Sequence, residues 1–246
     1  MRGRLVASVH LLMACIYSQW GVVFARRIHI GPLSPMHLPP HFVEQRPEAM
    51  HRLIRENSLG MLLRSTPQGL DADHFPFVLL PNKGPHGVLL AHVARENPMW
   101  RSIQPHEEAM VVFRGVQGYI TPSWYPGKHE THRRVPTWNY EVVHARGSLQ
   151  VLDDERSVRG VVSRLTRQHE ASQAQPWKMG DAPPDYITHE LSLVVVLEFV
   201  ITELTCKRKL SQHHETRDRE GAINGLEATG ARALAKAMRD TSHPGE

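Results

Sequence analysis

Residues 58–94 read SLGMLLRSTPQGLDADHFPFVLLPNKGPHGVLLAHVA, and this stretch decides the fold. Its apolar runs have the length of single β-strands, and turns rich in Pro and Gly separate them. The runs predict strands at 58–65, 70–80 and 88–94, joined by the hairpin turn TPQG at 66–69 and the turn PNKGPHG at 81–87. Short strands joined by tight turns predict an antiparallel sheet.

The rest of the chain continues this pattern without a regular alternation of strand and helix. Residues 47–57 begin with Pro47 and carry Met50, Leu53 and Ile54 at helical spacing, so they predict a helix. The chain is therefore predicted to be mainly β with flanking helices (α+β), built on an antiparallel barrel rather than a doubly wound sheet. Further strands are predicted at 109–113, 117–121, 138–146, 149–152 and 193–204, and further helices at 154–168, 184–190 and 217–239, the last broken near Gly230.

Charge is unevenly distributed along the chain. The sequence holds 29 Lys and Arg against 25 Asp and Glu, which gives a net charge of +4. The first 35 residues contain Arg2, Arg4, Arg26 and Arg27 and no acidic residue, so the remaining chain has equal numbers of basic and acidic residues. A neutral body gives no overall attraction to nucleic acid, and DNA binding would need a local basic patch.

Residues 1–35 differ in character from everything after them. Arg2 and Arg4 precede an apolar run at 5–25, whose end loosely resembles a signal-peptidase site. The other interpretation, which we favour, is a mis-called start codon with the true start at Met36. We treat residues 1–35 as an amino-terminal extension, which would be disordered or helical if it is made. A single domain is expected over 36–240.

Two features favour a cytoplasmic protein that makes no membrane contact over 36–246. The apolar runs at 5–25 and 193–204 are interrupted by polar or acidic residues, which makes them poor membrane spans. Cys15 lies in the extension, which leaves Cys206 alone in the body. A body with one cysteine has no internal disulfide, as is usual in a reducing compartment.

Common catalytic and metal motifs are absent from the sequence. It contains neither the Gly-rich phosphate loops nor a nucleophile elbow. His129 and His132 form an H-x-x-H pair, and His213-His214-Glu215 is a second cluster. Neither has a further ligand at a workable spacing, so no metal site is predicted, and the catalytic residues stay unassigned.

Several amphipathic aromatic residues fall in one short stretch. Tyr119, Trp124, Tyr125, Trp138 and Tyr140 lie beside Pro, Ser, Thr and Asn, with a polar run between them. Such a composition is typical of a pocket wall for a flat ligand. It is equally typical of a surface loop that is pinned by its own aromatic side chains.

Two segments carry groups suited to binding an anion. In AHVARENP at 91–98, His92 and Arg95 stand near a strand end, where side chains and free N–H groups can converge on an anion. The segment KRKLSQ at 207–212 is a second basic and hydroxyl-bearing cluster. The alternatives are a solvated strand end for the first segment and a charged helix start for the second.

Taken together, these segments resemble a known family. GLDADHFPF (69–77), AHVARENPMW (91–100), GYITPSWYP (118–126), VPTWNYEVVHARG (135–147) and KLSQ (209–212) occur in this order and spacing. They are similar to the PaiB family of FMN-binding negative transcriptional regulators, also described as protease synthase and sporulation regulators. The resemblance runs from Met36 to about Met238.

The resemblance implies an FMN-binding split β-barrel of the pyridoxamine-phosphate-oxidase-like type, working as a homodimer with FMN at the subunit interface. It places basic and polar residues at strand ends around the flavin phosphate, with Lys128 as a neighbour, and Trp138 and Asn139 beside the ring or a facing pocket. The cofactor-binding residues it implies are Asp73, His74, His92, Ala94, Arg95, Asn97, Trp138, Asn139, Lys209, Ser211 and Gln212.

The chain departs from the family pattern at one place. After KLSQ the family continues with Asn-Arg, whereas this chain has His213 and His214. A contact made there by a histidine would depend on pH. It would also change the affinity for the flavin.

The function implied is that of a regulatory flavoprotein, a negative transcriptional regulator with DNA as its partner, non-catalytic or weakly catalytic. The alternative is an FMN-dependent oxidoreductase acting on a small planar substrate, because the barrel is shared with such enzymes. A third hypothesis is a carrier of flavin or tetrapyrrole without turnover.

Overall fold

The computed structural model describes residues 36–241 of the 246-residue chain. The predictions made for 1–35 lie outside the described residues. From Leu38 onward the described residues belong to one compact unit, in which eight strands form one antiparallel sheet. The strands are β1 (Val43–Glu44), β2 (Leu59–Thr66), β3 (Gly69–Pro76), β4 (Val78–Leu80), β5 (Val88–Ala94), β6 (Glu107–Ile120), β7 (Thr137–Leu152) and β8 (Val194–Lys209).

Within residues 36–241, six α-helices flank the sheet, and short 3₁₀ turns connect several elements. The strand order is β3-β2-β6-β7-β8-β5-β4, with β1 added to β8. Strand β3 also contacts β5, so the sheet curls on itself. The helices are α1 (Pro47–Glu56), α2 (Pro126–Thr131), α3 (Glu155–Glu170), α4 (Pro184–Ser192), α5 (Thr216–Ala228) and α6 (Arg232–Arg239).

Alternation along the strands separates an inner and an outer face of the sheet. Leu62, Val111 and Ala145 stand opposite one another across three strands and are buried in the main core. Their neighbours one position along each strand point the other way, because side chains alternate between the faces of a sheet. The curled sheet therefore encloses the main core and presents its other face outward.

Two smaller cores attach the helices. Val158, Val161 and Leu165 of α3 pack with α4 against Leu90 and Val196 of the sheet. At the other end of β8, a third core joins α5 and α6 to the aromatic stretch. Its buried members are Ile120, Tyr125, Leu210, Ala222, Ile223, Leu226, Leu234, Ala235 and Met238.

The structure confirms several predicted elements and corrects others. Strand β5 has the predicted limits, and α1 ends one residue before the predicted limit. The predicted strands 109–113 and 117–121 form one strand, β6, since pairing with β7 continues past an irregularity between Arg114 and Gln117. Likewise 138–146 and 149–152 form the single strand β7. Glycines near these points imitate turns in the sequence, although here they lie within paired strands.

The structure also corrects two alternatives left open by the sequence, a surface loop after Tyr125 and a helix start at Lys207. The polar run after Tyr125 contains a short helix, α2, which begins at Pro126 and ends before His132 in the left-handed conformation. The basic residues from Lys207 to Lys209 belong to β8 and do not begin a helix. Both segments are held by partners distant in sequence, which local propensity does not reveal.

Candidate functional site

Lys209 and Trp138 lie together where the end of β8 meets the start of β7. Lys209 pairs with Tyr140 in register, and its Nζ donates to the carbonyl oxygen of Trp138 at 2.7 Å and to Oγ1 of Thr137. Burial and the nearby Lys207 lower the pKa of Lys209. This ammonium group is fixed by neutral oxygens and has no carboxylate partner among residues 36–241.

Behind this pair, Asn139 and Ser211 form a buried polar contact. Asn139 Nδ2 donates to Ser211 Oγ at 2.9 Å and lies 3.5 Å from the sulfur of Met238. Ser211 has φ +66°, a left-handed conformation that is strained for a residue with a side chain. Gln212 closes the turn, since its Oε1 accepts from the Leu210 amide at 2.7 Å. Five of the predicted site residues are thus brought together here.

Trp138 and Asn139 nevertheless face opposite sides of the sheet. Asn139 is fully buried against α6, whereas Trp138 is 50% exposed. Successive residues of a strand alternate in direction, so the two side chains cannot line one pocket from the same side. Asn139 supports the strand end from within, and Trp138 is the member that a ligand can reach.

The outward-directed residues of β6, β7 and β8 lie on one side of the sheet, here called the outer face. Tyr119, Trp138 and Arg114 are exposed on it, whereas Val142 and Lys207 are buried. Tyr119 lies beside Trp138 with ring centroids 6.4 Å apart. The next two rows across the strands are Gln117–Tyr140–Lys209 and Arg114–Val142–Lys207. The exposed aromatic rings therefore share this side with the exposed Arg114 and the half-buried Lys209. The sequence interpretation missed Arg114, although its place in register opposite Val142 and Lys207 reveals its role.

The aromatic stretch divides into an exposed half and a buried half. Tyr119 and Trp138 are half exposed, as the wall of a ligand site would be. Tyr125 is only 1% exposed, and Trp124 packs against α5, where Gly225 leaves room for its ring. One half of the stretch offers a surface, and the other half pins the segment to the helices.

Asp218 of α5 anchors the same segment electrostatically. Its fully buried carboxylate accepts from the Gly127 amide at 2.8 Å and from Arg134 Nε at 2.6 Å. Burial raises the pKa of Asp218, but the Gly127 and Arg134 bonds outweigh it and leave that pKa lowered. This anchor was missed because Asp218 and Arg134 are far apart in sequence.

The histidines that depart from the family pattern form a stacked cluster. The rings of His213 and His214 lie 4.2 Å apart, and His41 approaches His213 at 5.4 Å. The ring of Tyr125 lies 4.9 Å from that of His214. Burial, with the neighbouring His214, His41 and Lys209, lowers the pKa of His213 to about 4. Burial and then the nearby Arg134 also lower the pKa of His214, so both histidines are neutral near pH 7.

The second predicted group lies at the end of β5. Arg95 donates to Asp153 at 2.8 and 2.5 Å and, through Nε, to the carbonyl oxygen of Ser192 at 2.7 Å. The side chain of Asn97 caps the next turn by accepting from the Met99 amide, and Ala94 is an exposed strand residue. In the isolated chain Arg95 and Asn97 already hold structural partners.

His92 is the member of this group with an unfilled bond. It pairs in register with Val196, on the sheet side covered by α3 and α4. Its Nδ1 atom is buried and has no hydrogen-bond partner within residues 36–241, and burial lowers its pKa. A neutral, unpartnered imidazole nitrogen fits a polar ligand atom.

The remaining predicted residues lie apart from both groups. Asp73 and His74 are neighbours on β3, opposite Leu62 and Met61, and they therefore face opposite sides of the sheet. Burial and then the nearby Asp71 raise the pKa of Asp73. Lys128 stands on α2 and donates to Ser123 Oγ at 3.2 Å.

Strand β8 separates the two groups by nearly its whole length. Ala94 pairs with Val194 at its start, and Tyr140 pairs with Lys209 at its end. At roughly 3.3 Å per residue, this is about 50 Å along the strand before curvature. One chain does not bring the Arg95 group and the Lys209 group to a single ligand.

The outer face fits FMN by the chemistry of its side chains. Tyr119 and Trp138 offer aromatic surface to a flat ring, and Arg114 and Lys209 supply cations for a phosphate. Within 36–241, no three His, Cys, Asp or Glu side chains are grouped as a metal site requires. In the same range no helix combines the length and apolar character needed to cross a membrane.

Comparison with known proteins agrees with this chemistry. The model of the family described as "Putative FMN-binding domain" matches residues 36–203. Protease synthase and sporulation protein PAI 2 of Bacillus subtilis is 29% identical over 209 residues, which cover 83% of this chain and 97% of that protein. An uncharacterized protein of Emericella nidulans is 30% identical over 233 residues, 80% of this chain and 93% of its own.

A solved structure supports the fold. The FAD and heme binding protein of Mycobacterium smegmatis matches with a TM-score of 0.50 and 14% identity, over 68% of this chain and 73% of that one. The antiparallel sheet with flanking helices confirms the predicted split β-barrel, and the PAI 2 match confirms the resemblance found in the sequence. The chain is a flavin-binding protein and belongs to the FMN-binding domain family.

Proposed function

We propose that this protein is an FMN-binding homodimeric regulatory flavoprotein that acts in negative control of transcription. The observation that carries the proposal is the outer face, where the exposed Trp138 and Tyr119 adjoin the fixed ammonium group of Lys209. The regulatory role is supported by similarity to PAI 2 over nearly the whole length of that protein.

FMN would supply a redox-active ring and a phosphate dianion. Trp138 and Tyr119 would stack on the ring, and Lys209 and Arg114 would pair with the phosphate. Asn139 and Ser211 would hold the strand end behind them, since their mutual bond fixes the backbone beside Trp138.

The homodimer is supported by two observations. The Arg95 and Lys209 groups lie at opposite ends of β8, so a flavin that meets both must touch two chains. The same side of the sheet continues onto β2 with apolar residues, where Leu63 pairs with Met110 of β6 and Leu59 is 63% exposed. Burying such side chains against a second copy stabilises a dimer by about 25 cal/mol per Å² of apolar surface.

The test combines light scattering with FMN titration of the purified chain. We expect the wild type to have twice the mass of one chain. The Leu63→Glu variant should be monomeric and bind FMN weakly. The matched control, Leu70→Glu, alters a residue that is 88% exposed on the hairpin and should change neither property. A wild-type monomer that binds FMN fully would refute the dimer.

Trp138 tests the outer face itself. Replacement by Ala removes one stacking surface and should weaken FMN about tenfold, which corresponds to roughly 1.4 kcal/mol. Trp177→Ala, at another exposed tryptophan, should leave FMN affinity unchanged. Equal losses in both variants would exclude this surface as the flavin site.

Contact with DNA is the remaining part of the proposal, together with a cytoplasmic location. Helix α3 exposes Arg156, Arg164 and Arg167 on the side away from its buried residues, which supplies the local basic patch that a neutral body requires. A gel-shift titration at low salt should show binding that Arg164→Glu weakens. Absence of a shift, with rapid flavin reduction by NADH or NADPH, would favour the oxidoreductase alternative.

A further inference from the structure

A small cavity lies on the inner side of the sheet, away from the outer face. Its volume is about 270 Å³, and it opens between α1, α6 and the adjoining strands. This is slightly smaller than sites for drug-sized ligands, which range over roughly 300–1,000 Å³. The apolar part of its lining consists of Leu53, Val116, Ala233 and Ala237.

Two buried charged residues of opposite sign line this cavity. Arg208 and Glu141 are each 5% exposed, and Arg208 Nε donates to Glu141 Oε1 at 2.6 Å. Arg208 Nη1 donates to Glu44 Oε2 at 3.4 Å. Within residues 36–241, Arg208 Nη2 and Glu141 Oε2 form no hydrogen bond. One donor and one acceptor of this ion pair are thus left for a ligand that enters the cavity.

The charges around the cavity balance one another. Arg52 pairs with Glu56 at 3.9 Å, and Lys236 pairs with Asp240 at the rim. Together with Arg208 and Glu141 they give three positive and three negative groups. A net anion such as FMN therefore gains little electrostatic energy here. A small molecule with one group of each sign matches the lining.

We infer that this cavity binds a zwitterion of the α-amino-acid class with an apolar side chain. The carboxylate would accept from Arg208 Nη2, and the ammonium group would donate to Glu141 Oε2. The aliphatic side chain would then lie against Leu53 and Val116. The site is separate from the outer face and goes beyond the proposed function, because it gives the protein a metabolite to sense.

Calorimetry with three matched probes tests the chemistry on the full chain. L-leucine carries both charged groups, isovalerate carries the carboxylate without the ammonium group, and isoamylamine carries the ammonium group without the carboxylate. We expect L-leucine to bind at least tenfold more tightly than either of the others. Absence of L-leucine binding at millimolar concentration, or equal binding of isovalerate, would overturn the inference.

Cavity-filling variants test the location. Ala237→Leu and Ala233→Leu place extra atoms at the half-buried and the exposed part of the lining, and each should weaken L-leucine at least tenfold. Ala228→Leu, at an exposed position of α5 outside the cavity, is the matched control. If Ala237→Leu fails to fold, Ala233→Leu decides alone. Unchanged L-leucine binding in the folded variants would refute the site.

An FMN titration of the same variants separates this inference from the proposed function. Ala233 lies away from the outer face, so Ala233→Leu should bind FMN as the wild type does. Failure of FMN binding in every variant, including the wild type, would count against the proposed function and leave the L-leucine result intact. Arg208→Lys keeps the charge but removes Nη2, and its affinity for L-leucine should be at least tenfold lower than that of the wild type.

Discussion

Asp218 and Arg134, which are 84 residues apart, form an ion pair in which the carboxylate is completely buried and the guanidinium half-buried. The same carboxylate holds the amide of Gly127. This pair fastens the aromatic segment to α5, so the position of Trp138 depends on a residue of the carboxyl-terminal helices.

Asp218→Asn should lower the free energy of unfolding by about 2–4 kcal/mol, because it leaves Arg134 without its charged partner. Urea denaturation at pH 7 measures this change. The control is Asp185→Asn, an exposed position of α4, where we expect no more than about 0.5 kcal/mol. Similar values for the two variants would show that the pair stabilises little.

Glu44 should stabilise the protein above pH 4.5 and lose this effect as the pH falls. Hydrogen bonds from Arg46 lower the pKa of Glu44 from 4.5 to about 2. A carboxylate with a lowered folded-state pKa stabilises the folded state above its unfolded pKa, so about 2 kcal/mol should disappear between pH 4.5 and 2. Glu44→Gln should flatten the dependence of unfolding free energy on pH in this window. An unchanged slope in the variant would contradict the assignment.

His213 should act in a different window, between pH 6.5 and 4. Because the pKa of His213 is lowered to about 4, the neutral ring is favoured in the folded state. The contribution of His213 to the free energy of unfolding is then fully present above pH 6.5. It falls below that pH, because the unfolded state takes up protons there. The ring keeps solvent contact, so we expect a loss of only about 1 kcal/mol between pH 7 and 5.

Chemical denaturation of His213→Gln at both pH values checks this expectation. The variant should lose less stability than the wild type on going to pH 5. His189→Gln, exposed on α4, should behave as the wild type does. A His213→Gln variant with the full loss would place the acid sensitivity elsewhere.

Two helical glycines should respond to the same substitution with opposite signs. A Cβ at Gly225 would lie 2.5 Å from Cε2 of Trp124, whereas a Cβ at Gly160 of α3 would meet nothing within 4 Å. Gly225→Ala should therefore lower the free energy of unfolding by about 1–3 kcal/mol, because it displaces the ring. Gly160→Ala should raise it by about 0.4–1 kcal/mol. Thermal unfolding of both variants suffices, and the same sign for both would contradict the packing argument.

Two roles of Arg95 can be distinguished by experiment: binding of the flavin phosphate, or an ion pair that only stabilises the fold. Its guanidinium is bound to Asp153, and the small cavity beside it also contains Asp154 and Glu155. If Arg95 turns to the flavin phosphate in the dimer, Arg95→Ala should weaken FMN more than tenfold, while Asp153→Ala should not, since it frees the cation. Equal effects of the two variants on FMN affinity would mean that Arg95 serves only the fold.

The sequence predicts best what depends on local pattern. Strand β5 and helix α1 follow from apolar spacing and turn residues close to them, and both are found at or near their predicted limits. Strand β6 was divided in the prediction, because the irregularity between Arg114 and Gln117 resembles a turn until β7 is known to continue alongside it.

The site was less predictable because it depends on register and on distant partners. The motif TWNY predicted Trp138 and Asn139 as site residues, but only the assigned strand shows that they face opposite sides. Arg95 was predicted to be an anion ligand, yet its partner Asp153 is 58 residues away and no local signal indicates it. The order of the motifs identified the family, and the faces of the sheet required the structure.

Helix α6 touches two places that otherwise have nothing in common. Its Met238 lies 3.5 Å from Asn139, behind Trp138, and its Ala233 and Lys236 line the cavity of Arg208. A shift of this short helix would be felt at both. Thermodynamic reciprocity then applies: whatever factor L-leucine imposes on the dissociation constant of FMN, FMN must impose on that of L-leucine. Helix α6 would in that case couple the occupancy of the amino-acid cavity to the occupancy of the flavin site.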